Sequence, residues 1–360
     1  MTREVDCGNP GAIAMGEINF KSPGNSTQFG SIIQYTCRDS MFHIYPKFNT
    51  TYTCGINGEW TNSELGTETP TCLLACGEPS QPFPAQFKRI VGGRSAVPGL
   101  FPWQVLLTVE DKSRVPEDRS FGSGALLSEY WVLTAAHVLC SQRRDSTVVP
   151  VAPEHVHVYL GLHDIRAKDN ATNRSVEQIV IHPHFDLRNY NNDIAMVKLS
   201  QAVPIGDFVR PICLPSPQGK DSPKANTLGL VAGWGISNPN TSLDTSALSS
   251  DLDTVLQYVK LPVVSQEECK ASYSSRNVNY NITDNMFCAG FYEGGRDTCH
   301  GDSGGAFVME EPESGRWVAH GLVSWGGPQN CGSQRVYGVY TRVTNYIVWL
   351  QSHLGIGMWW

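Results

Sequence analysis

The sequence predicts an all-β protein in which one small disulfide-rich module precedes a larger domain of short strands. From Gln104 onward, runs rich in β-branched and aromatic residues alternate with Gly/Pro turns, as in QVLLTVE, VHVYLG, IAMVKL, LGLVAGWG, VAHGLVSW and YGVYTRV. Such runs are typical of strands, and a final amphipathic helix is expected around residues 346–354. Before residue 75, four cysteines stand in a segment too short to bury an adequate core without cross-links.

The composition argues against nucleic acid or a lipid bilayer as the partner. The chain has 360 residues, of which 41% are hydrophobic and 17% charged, which is enough for two or three domains with a sizeable core. Its net charge is -7 and no basic stripe is visible, so a nucleic-acid-binding role is not expected. No apolar run approaches the ~20 residues that a membrane-spanning helix needs.

The N-terminal module is expected to span residues 6–73, followed by a linker over 74–89 and a β domain over 90–354. The module's four cysteines are separated by 29, 16 and 17 residues, which by itself leaves three connectivities open: Cys7, Cys37, Cys54 and Cys72. Runs from Ile32 to Cys37 and from Thr50 to Cys54 fit short strands. The linker contains three prolines (Pro79, Pro82 and Pro84), which disfavour a helix and predict an extended connection on the surface.

Cysteine usage and glycosylation signals indicate a secreted, extracellular protein. The chain contains 11 cysteines, a number typical of oxidising compartments. Six asparagines stand in Asn-x-Ser/Thr sequons and are candidate glycosylation sites: Asn25, Asn49, Asn170, Asn173, Asn240 and Asn281.

The segment DTCHGDSGGA contains a candidate nucleophile, Ser303, in a Gly-Asp-Ser-Gly-Gly turn. The flanking glycines let the backbone approach a substrate closely, so the turn can present the serine hydroxyl beside backbone N–H groups. A serine needs a base, and His137 ends the run WVLTAAH while Asp193 lies in NNDIAMVKL. The chain order His, Asp, Ser is one of the known orders of the acyl-transfer triad.

With these motifs the chain resembles the trypsin/chymotrypsin serine proteases. The resemblance implies two packed six-stranded β-barrels with the active site between them. It also implies that Ser303 is the nucleophile, that His137 is the general base and then acid, and that Asp193 orients His137. The backbone N–H groups of Gly301 and Ser303 would form the oxyanion hole. No metal and no cofactor are expected.

The run RIVGG resembles the activation site of the same family. The resemblance implies a proenzyme that is cut between Arg89 and Ile90. The new α-amino group of Ile90 would then turn inward and pair with Asp302, because a buried ammonium–carboxylate pair is strongly favoured over either charge buried alone.

The resemblance also implies a specificity pocket for arginine or lysine. Asp297 corresponds to the pocket floor, and Gly326 and Gly338 correspond to its small walls. A buried carboxylate without a cation is costly, so the pocket would demand a basic side chain. The strand Ser324, Trp325 and Gly326 would pair with the substrate backbone. Tyr190 would form the lid of the adjacent subsite. His300 lies on the pocket rim, where it is as readily explained as a solvated histidine.

Five disulfides are implied by resemblance to sushi (complement control protein) modules and to trypsin-like domains. They are Cys7–Cys54, Cys37–Cys72, Cys76–Cys213, Cys269–Cys288 and Cys299–Cys331. Cys140 is left over, and we expect a buried or crowded free thiol, with intermolecular pairing as the alternative. The chain departs from trypsin-like enzymes at the disulfide that usually brackets the catalytic histidine, where it carries Gly122 and Val138.

One sushi module joined to a trypsin-like domain without the histidine-loop disulfide resembles the complement proteases. Segments such as GLFPWQ, FGSGALLS, LGLVAGWGISNPN and NMFCAGFYEGG are similar to the mannan-binding lectin-associated serine proteases (MASPs), particularly the third-isoform type. This implies a lectin- or alternative-pathway endopeptidase that cuts another complement zymogen, such as pro-factor D. The intact parent would dimerise and bind collagen-tailed lectins through upstream calcium-binding modules that are absent from this chain.

Two non-enzymatic interpretations are kept as alternatives. Haptoglobin-like proteins combine the same folds as binding proteins that have lost the triad, and this chain would then be a catalytically silent or zymogen-state binding or competitor protein. The complete set of His137, Asp193 and Ser303 argues against this interpretation. Alternatively, the sushi module is the functional part, as in complement regulators, but those proteins usually string several modules together.

Overall fold

The computed structural model of the chain divides after Ala75 into two compact units. The structure describes residues 5–39, 41–47, 49–84, 94–111, 118–142, 148–216, 222–235, 254–274, 281–293, 302–326 and 337–354. Five of the six sequon asparagines lie in these ranges and are exposed, and Asn240 lies outside them. No helix in these ranges is long and apolar enough to cross a membrane.

The first unit is a small β module that depends on disulfides. Its strands are β1 (Gly16–Phe20), β2 (Ile32–Cys37), β3 (Phe42–Tyr45), β4 (Thr51–Cys54), β5 (Trp60–Thr61) and β6 (Thr71–Leu74). They form a sheet in the order β1-β2-β4-β5 and a β3-β6 pair. The fully buried core is Ile33, Tyr35 and Tyr52. This core is small, and the disulfides Cys7–Cys54 and Cys37–Cys72 supplement it.

The second unit contains a closed six-stranded barrel. After the short β7 (Arg94–Ser95), its strands are β8 (Gln104–Asp111), β9 (Asp118–Leu126), β10 (Trp131–Thr134), β13 (Val156–Leu160), β14 (Thr172–Ile181) and β15 (Ala195–Leu199), in the order β10-β15-β14-β13-β8-β9. The alternation within β13 places Val156, Val158 and Leu160 in the barrel core. A separate hairpin pairs β11 (Cys140–Gln142) with β12 (Val148–Pro150).

The rest of the second unit is a seven-stranded antiparallel sheet. Its strands are β16 (Leu228–Gly233), β17 (Gln257–Pro262), β18 (Met286–Ala289), β19 (Ala306–Glu310), β20 (Trp317–Trp325) and β21 (Gly338–Arg342), with β7 added at the edge beside β17. The resemblance implied six strands here, and β7 makes the seventh. Phe287, Phe307 and Tyr340 pack against one another in its core.

Helices are short and peripheral. The α-helices are α1 (Gln266–Ser274) and α2 (Ile347–Leu354), and the 3-10 segments are Pro23–Asn25, Ala136–Leu139, Pro153–His155, Ile165–Asn170 and Val343–Tyr346. The disulfide Cys269–Cys288 joins α1 to β18. Helix α2 buries Ile347, Leu350 and Leu354, which follow the helical spacing of an amphipathic face.

Residues 76–84, which the sequence placed in the linker, pack against the second unit. The disulfide Cys76–Cys213 ties them down, and the Gly77 N–H donates to the Pro211 carbonyl at 2.8 Å. Gly77 has φ +67°, and a Cβ atom there would lie 2.2 Å from the Trp317 carbonyl oxygen, so glycine is required. Farther along, Phe83 lies against Phe101 with ring centroids 5.3 Å apart. The chain is therefore anchored shortly before Arg89.

Candidate active site

Neighbouring strands of the barrel bring His137 and Asp193 together. His137 lies in the 3-10 segment that follows β10, and Asp193 lies two residues before β15. Strands β10 and β15 are antiparallel partners, with Thr134 opposite Ala195. The His137 Nδ1 lies 2.7 Å from Asp193 Oδ2, and the His137 backbone N–H donates to Asp193 Oδ1 at 2.9 Å. An ionised carboxylate only accepts hydrogen bonds, so Nδ1 carries the hydrogen and Nε2 of the neutral ring is the acceptor.

Asp193 is fully buried, and side chains of the second sheet help to hold it. Ser324 Oγ donates to Asp193 Oδ2 at 2.5 Å, and Thr341 Oγ1 donates to the Asp193 backbone carbonyl at 2.8 Å. Burying a carboxylate is costly unless it is hydrogen-bonded, and the donors on His137 and Ser324 meet that requirement. The sequence reasoning assigned Ser324 only to substrate binding. Its contact with Asp193 joins residues 131 positions apart, and no sequence motif signals it.

The Ser303 turn is held between the barrel and the second sheet. The Gly304 N–H donates to the Val323 carbonyl in β20 at 2.8 Å, and the Ser123 N–H in β9 donates to the Ser303 carbonyl at 2.8 Å. Gly304 has φ +82°, and a Cβ atom there would lie 2.5 Å from the Ser123 carbonyl oxygen. Only glycine fits this conformation and this close approach, as the Gly-Asp-Ser-Gly-Gly motif predicts.

Gly122 and Val138, the departures from the usual disulfide, face each other beside the turn. A Cβ atom at position 122 would lie 2.4 Å from Val138 Cγ1 and 3.3 Å from the Ser303 carbonyl oxygen. The valine side chain therefore occupies the space beside Gly122. The two positions are in contact although no covalent bond joins them.

Asp302 lies against a glycine-lined turn. Its Oδ1 accepts a hydrogen bond of 2.9 Å from the Gly235 N–H. Cβ atoms at positions 233 and 235 would lie 1.9 and 2.3 Å from Asp302 carboxylate oxygens, so the room for this carboxylate exists because both residues are glycine. The expected partner Ile90, like Arg89, lies outside the described residues.

Of the expected substrate-binding residues that the structure describes, Tyr190 lies against His137 and Trp325 lies beside Tyr190. The rings of Tyr190 and His137 are edge-to-face with centroids 5.6 Å apart, and Trp325 lies 6.4 Å from Tyr190. Trp325 packs in turn against Tyr273 of α1, at 5.0 Å, a contact that the sequence did not signal. Gly326 is exposed and Gly338 is buried at the start of β21.

Several expected site residues lie outside the described part of the chain. They are Asp297, His300, Gly301, Cys299 and Cys331. The pocket floor, half of the oxyanion hole and one expected disulfide therefore remain expectations from the sequence. Within the described residues, no group of three or more His, Cys, Asp or Glu side chains is arranged to hold a metal ion.

Cys140 is the free cysteine of the described part of the chain, and it lies at the start of β11, three residues after His137. Burial, with a smaller contribution from the charge of Asp193, raises the pKa of its thiol to about 12. At neutral pH the sulfur is therefore protonated, and a protonated thiol is a poor nucleophile.

Comparison with known proteins identifies the families to which the two units are similar. The family profile described as Trypsin matches residues 90–350, and the profile described as Sushi repeat (SCR repeat) matches residues 7–72. Complement C1s subcomponent of Rattus norvegicus is 38% identical over 361 residues, which cover 96% of this chain and 46% of the relative. A protein named calcium-dependent serine proteinase, from Mesocricetus auratus, is 37% identical over 362 residues, with coverage of 96% and 46%. The chain thus spans about half the length of the curated relatives it matches.

Proposed function

This chain belongs to the trypsin family of serine proteases, and we propose that it is a secreted complement endopeptidase that cuts protein substrates after arginine or lysine. The observation that carries the catalytic part of the proposal is the buried Asp193 carboxylate on His137 Nδ1, beside the glycine-bounded turn of Ser303. The pairing with Asp193 leaves His137 Nε2 available as the base that a serine nucleophile such as Ser303 requires for acyl transfer.

In the proposed reaction, Ser303 Oγ attacks the carbonyl carbon of the scissile peptide bond while His137 Nε2 takes the hydroxyl proton. The backbone N–H groups of Ser303 and Gly301 stabilise the oxyanion of the tetrahedral intermediate. The intermediate collapses as His137 gives that proton to the leaving amine, and an acyl ester remains on Ser303. Water, deprotonated by His137, then hydrolyses the ester. Asp193 stays ionised and stabilises the imidazolium that forms in each half.

The test of this mechanism is Ser303→Ala. We expect kcat for an Arg-containing peptide substrate to fall by about six orders of magnitude, as in other triads. A serine-directed phosphonate should label the activated wild type and not the variant. If the variant retained a tenth of the wild-type activity, the proposed mechanism would be refuted. Absence of labelling in the wild type would favour the catalytically silent alternative.

The proposed preference for arginine or lysine depends on Asp297. Removing one partner of a desolvated charge pair typically costs ~2–5 kcal/mol, so Asp297→Ser should lower kcat/KM for Arg peptides by at least about thirtyfold. Phe peptides, which the wild type should cleave poorly, serve as the control. Near wild-type hydrolysis of Arg peptides by the variant would show that another residue forms the pocket floor.

Activation is proposed to follow cleavage between Arg89 and Ile90. The anchoring of residues 76–84 supports this idea, because the chain up to Phe83 stays attached through Cys76–Cys213 after the cut. Gly233 and Gly235 leave room for the Asp302 carboxylate, which is the group with which the new ammonium would pair. Arg89→Gln should prevent activation by trypsin-like enzymes. Equal hydrolysis of an Arg peptide by the intact variant and the cleaved wild type would refute the switch.

The complement role is proposed from the relatives, several of which are named complement C1s. The finer proposal from the sequence is a MASP of the third-isoform type that cuts pro-factor D. In the whole protein, we propose dimerisation and binding to collagen-tailed lectins through further modules. Incubating the activated chain with separate purified complement zymogens, followed by N-terminal sequencing of the products, tests the substrate. Cleavage of pro-factor D after arginine supports the finer proposal, and cleavage of other zymogens alone refutes it.

A further inference from the structure

A half-buried lysine lies over two aromatic rings on the outer face of the barrel, near the Ser303 turn. The Lys168 Nζ lies 5.1 Å from the centroid of the Phe121 ring and 5.6 Å from that of Tyr159. Both distances are within the range of a cation–π contact. Within the described residues, no carboxylate lies within the 4.0 Å of an ion pair with Lys168.

The strand register connects this group to the active site. In β9, Phe121 and Ser123 share one face, because side chains alternate along a strand. Ser123 lies opposite Leu106 in β8, and Leu106 lies opposite Tyr159 in β13, so Tyr159 is on that same face. The other face carries the barrel core, including Leu107 and Val158. Ser123 donates its N–H to the Ser303 carbonyl, and its Cβ would lie 3.3 Å from a Cβ atom at Gly305, so the shared face begins at the nucleophile turn.

This face lies on the side of Ser303 toward which the leaving peptide would extend. The Ser303 turn is bonded to β20 on one side, through Gly304, and to β9 on the other, through Ser123. If the acyl part of the substrate follows Ser324–Gly326 at the end of β20, the leaving part runs along β9. An extended chain advances ~3.3 Å per residue, so two residues cover the ~6.6 Å from Ser123 to Phe121.

We propose that Lys168, held over Phe121 and Tyr159, forms a leaving-side subsite that selects an acidic side chain at the second substrate residue after the cleaved bond. This inference rests on the proposed function. The ammonium has three hydrogen-bond donors, and neither aromatic ring provides a carboxylate partner. A glutamate or aspartate side chain would supply one through a charge-assisted hydrogen bond. The two cation–π contacts restrain the ammonium, so less side-chain entropy is lost on binding.

The electrostatic setting strengthens the attraction. Burial lowers the pKa of Lys168, which means that the ammonium lacks part of the solvation it has in water. A carboxylate that approaches it restores this stabilisation, and in a half-buried site the Coulomb attraction is screened less than in water. Neighbouring Arg166 differs in both respects, because it is exposed and its guanidinium already pairs with Asp164.

Two matched fluorogenic peptides test the subsite. They share an arginine before the cleaved bond and carry Glu or Gln as the second residue after it. For the activated wild type we expect the Glu peptide to have a kcat/KM about fivefold higher than the Gln peptide. Lys168→Met should bring the ratio to about one, and Lys168→Arg should keep it. Arg166→Met, which removes a charge from the same 3-10 segment, is the control and should leave the ratio unchanged.

An arginine nitroanilide, which has no residues after the cleaved bond, tests the protease activity separately from the leaving-side subsite. Lys168→Met should hydrolyse it at the wild-type rate. Equal kcat/KM for the two peptides in the wild type, or an unchanged ratio in Lys168→Met, would overturn the subsite while the protease assignment stands. Failure of the activated wild type to hydrolyse any of these substrates would overturn the proposed function, and the subsite with it.

Discussion

Replacing both Gly122 and Val138 by cysteine should create the disulfide that the chain lacks. A Cβ atom at position 122 would lie 2.4 Å from Val138 Cγ1. Val138 Cβ is one C–C bond from Cγ1, so the two Cβ atoms are at most ~3.9 Å apart, an upper limit that is compatible with the ~3.5–4.5 Å of natural disulfides. The bridge would close a loop of about 16 residues, and loop-closure entropy then predicts ~3 kcal/mol of added stability.

The assay combines thiol counting with thermal unfolding. In the denatured, unreduced protein, the double-cysteine variant should show the same number of free thiols as the wild type. For a domain of this size, ~3 kcal/mol corresponds to a rise in Tm of ~6–12 °C. The matched control is Gly122→Ala with Val138→Ala, which has the same two Cβ atoms and no bridge. Two additional free thiols, or a Tm no higher than that of the double-alanine control, would refute the geometry.

Three further predictions concern stability. Ser324→Ala removes a donor to the buried Asp193 and should lower the free energy of unfolding by ~1–3 kcal/mol; a wild-type value in urea titrations would mean that this hydrogen bond contributes nothing. Phe83→Ala should lower the free energy of unfolding by ~1–3 kcal/mol in the same titrations. Substitution of the exposed neighbour, Pro82→Ala, should lower it little, and equal effects of the two substitutions would contradict the anchoring. The Cys140 thiol should resist iodoacetamide at pH 8 while the protein is folded. Because folding raises the pKa of this thiol from 9.0 to about 12, its ionisation does not affect the free energy of unfolding below pH 9. As the pH rises from 9 toward 12, the unfolded state loses the thiol proton first, so the free energy of unfolding should fall, and Cys140→Ala should not show this fall. Rapid alkylation of the thiol in the native protein would contradict the raised pKa.

Much of the candidate site could be predicted from the sequence because the chemistry depends on residue types in short motifs. The Gly-Asp-Ser-Gly-Gly turn predicts glycine where the structure has Gly304 with φ +82°. His137 and Asp193 are predicted from their sequence motifs and their order in the chain, and their 2.7 Å contact follows from the pairing of β10 with β15. By contrast, the Ser324–Asp193 bond has no local signature, because it joins the two sheets of the second unit.

By itself, the sequence determined the all-β class, the disulfide-supported N-terminal module and the residue types that protease chemistry needs. These follow from local properties: strand-forming runs, cysteine number and glycines at a tight turn. Only the tertiary structure decided that Val138 fills the space beside Gly122, that Phe83 anchors the chain before Arg89, and that Lys168 lies over Phe121. The physical reason is that side-chain contacts depend on strand register and on the packing of distant segments. Both are set by the burial of the whole core rather than by any short run of residues.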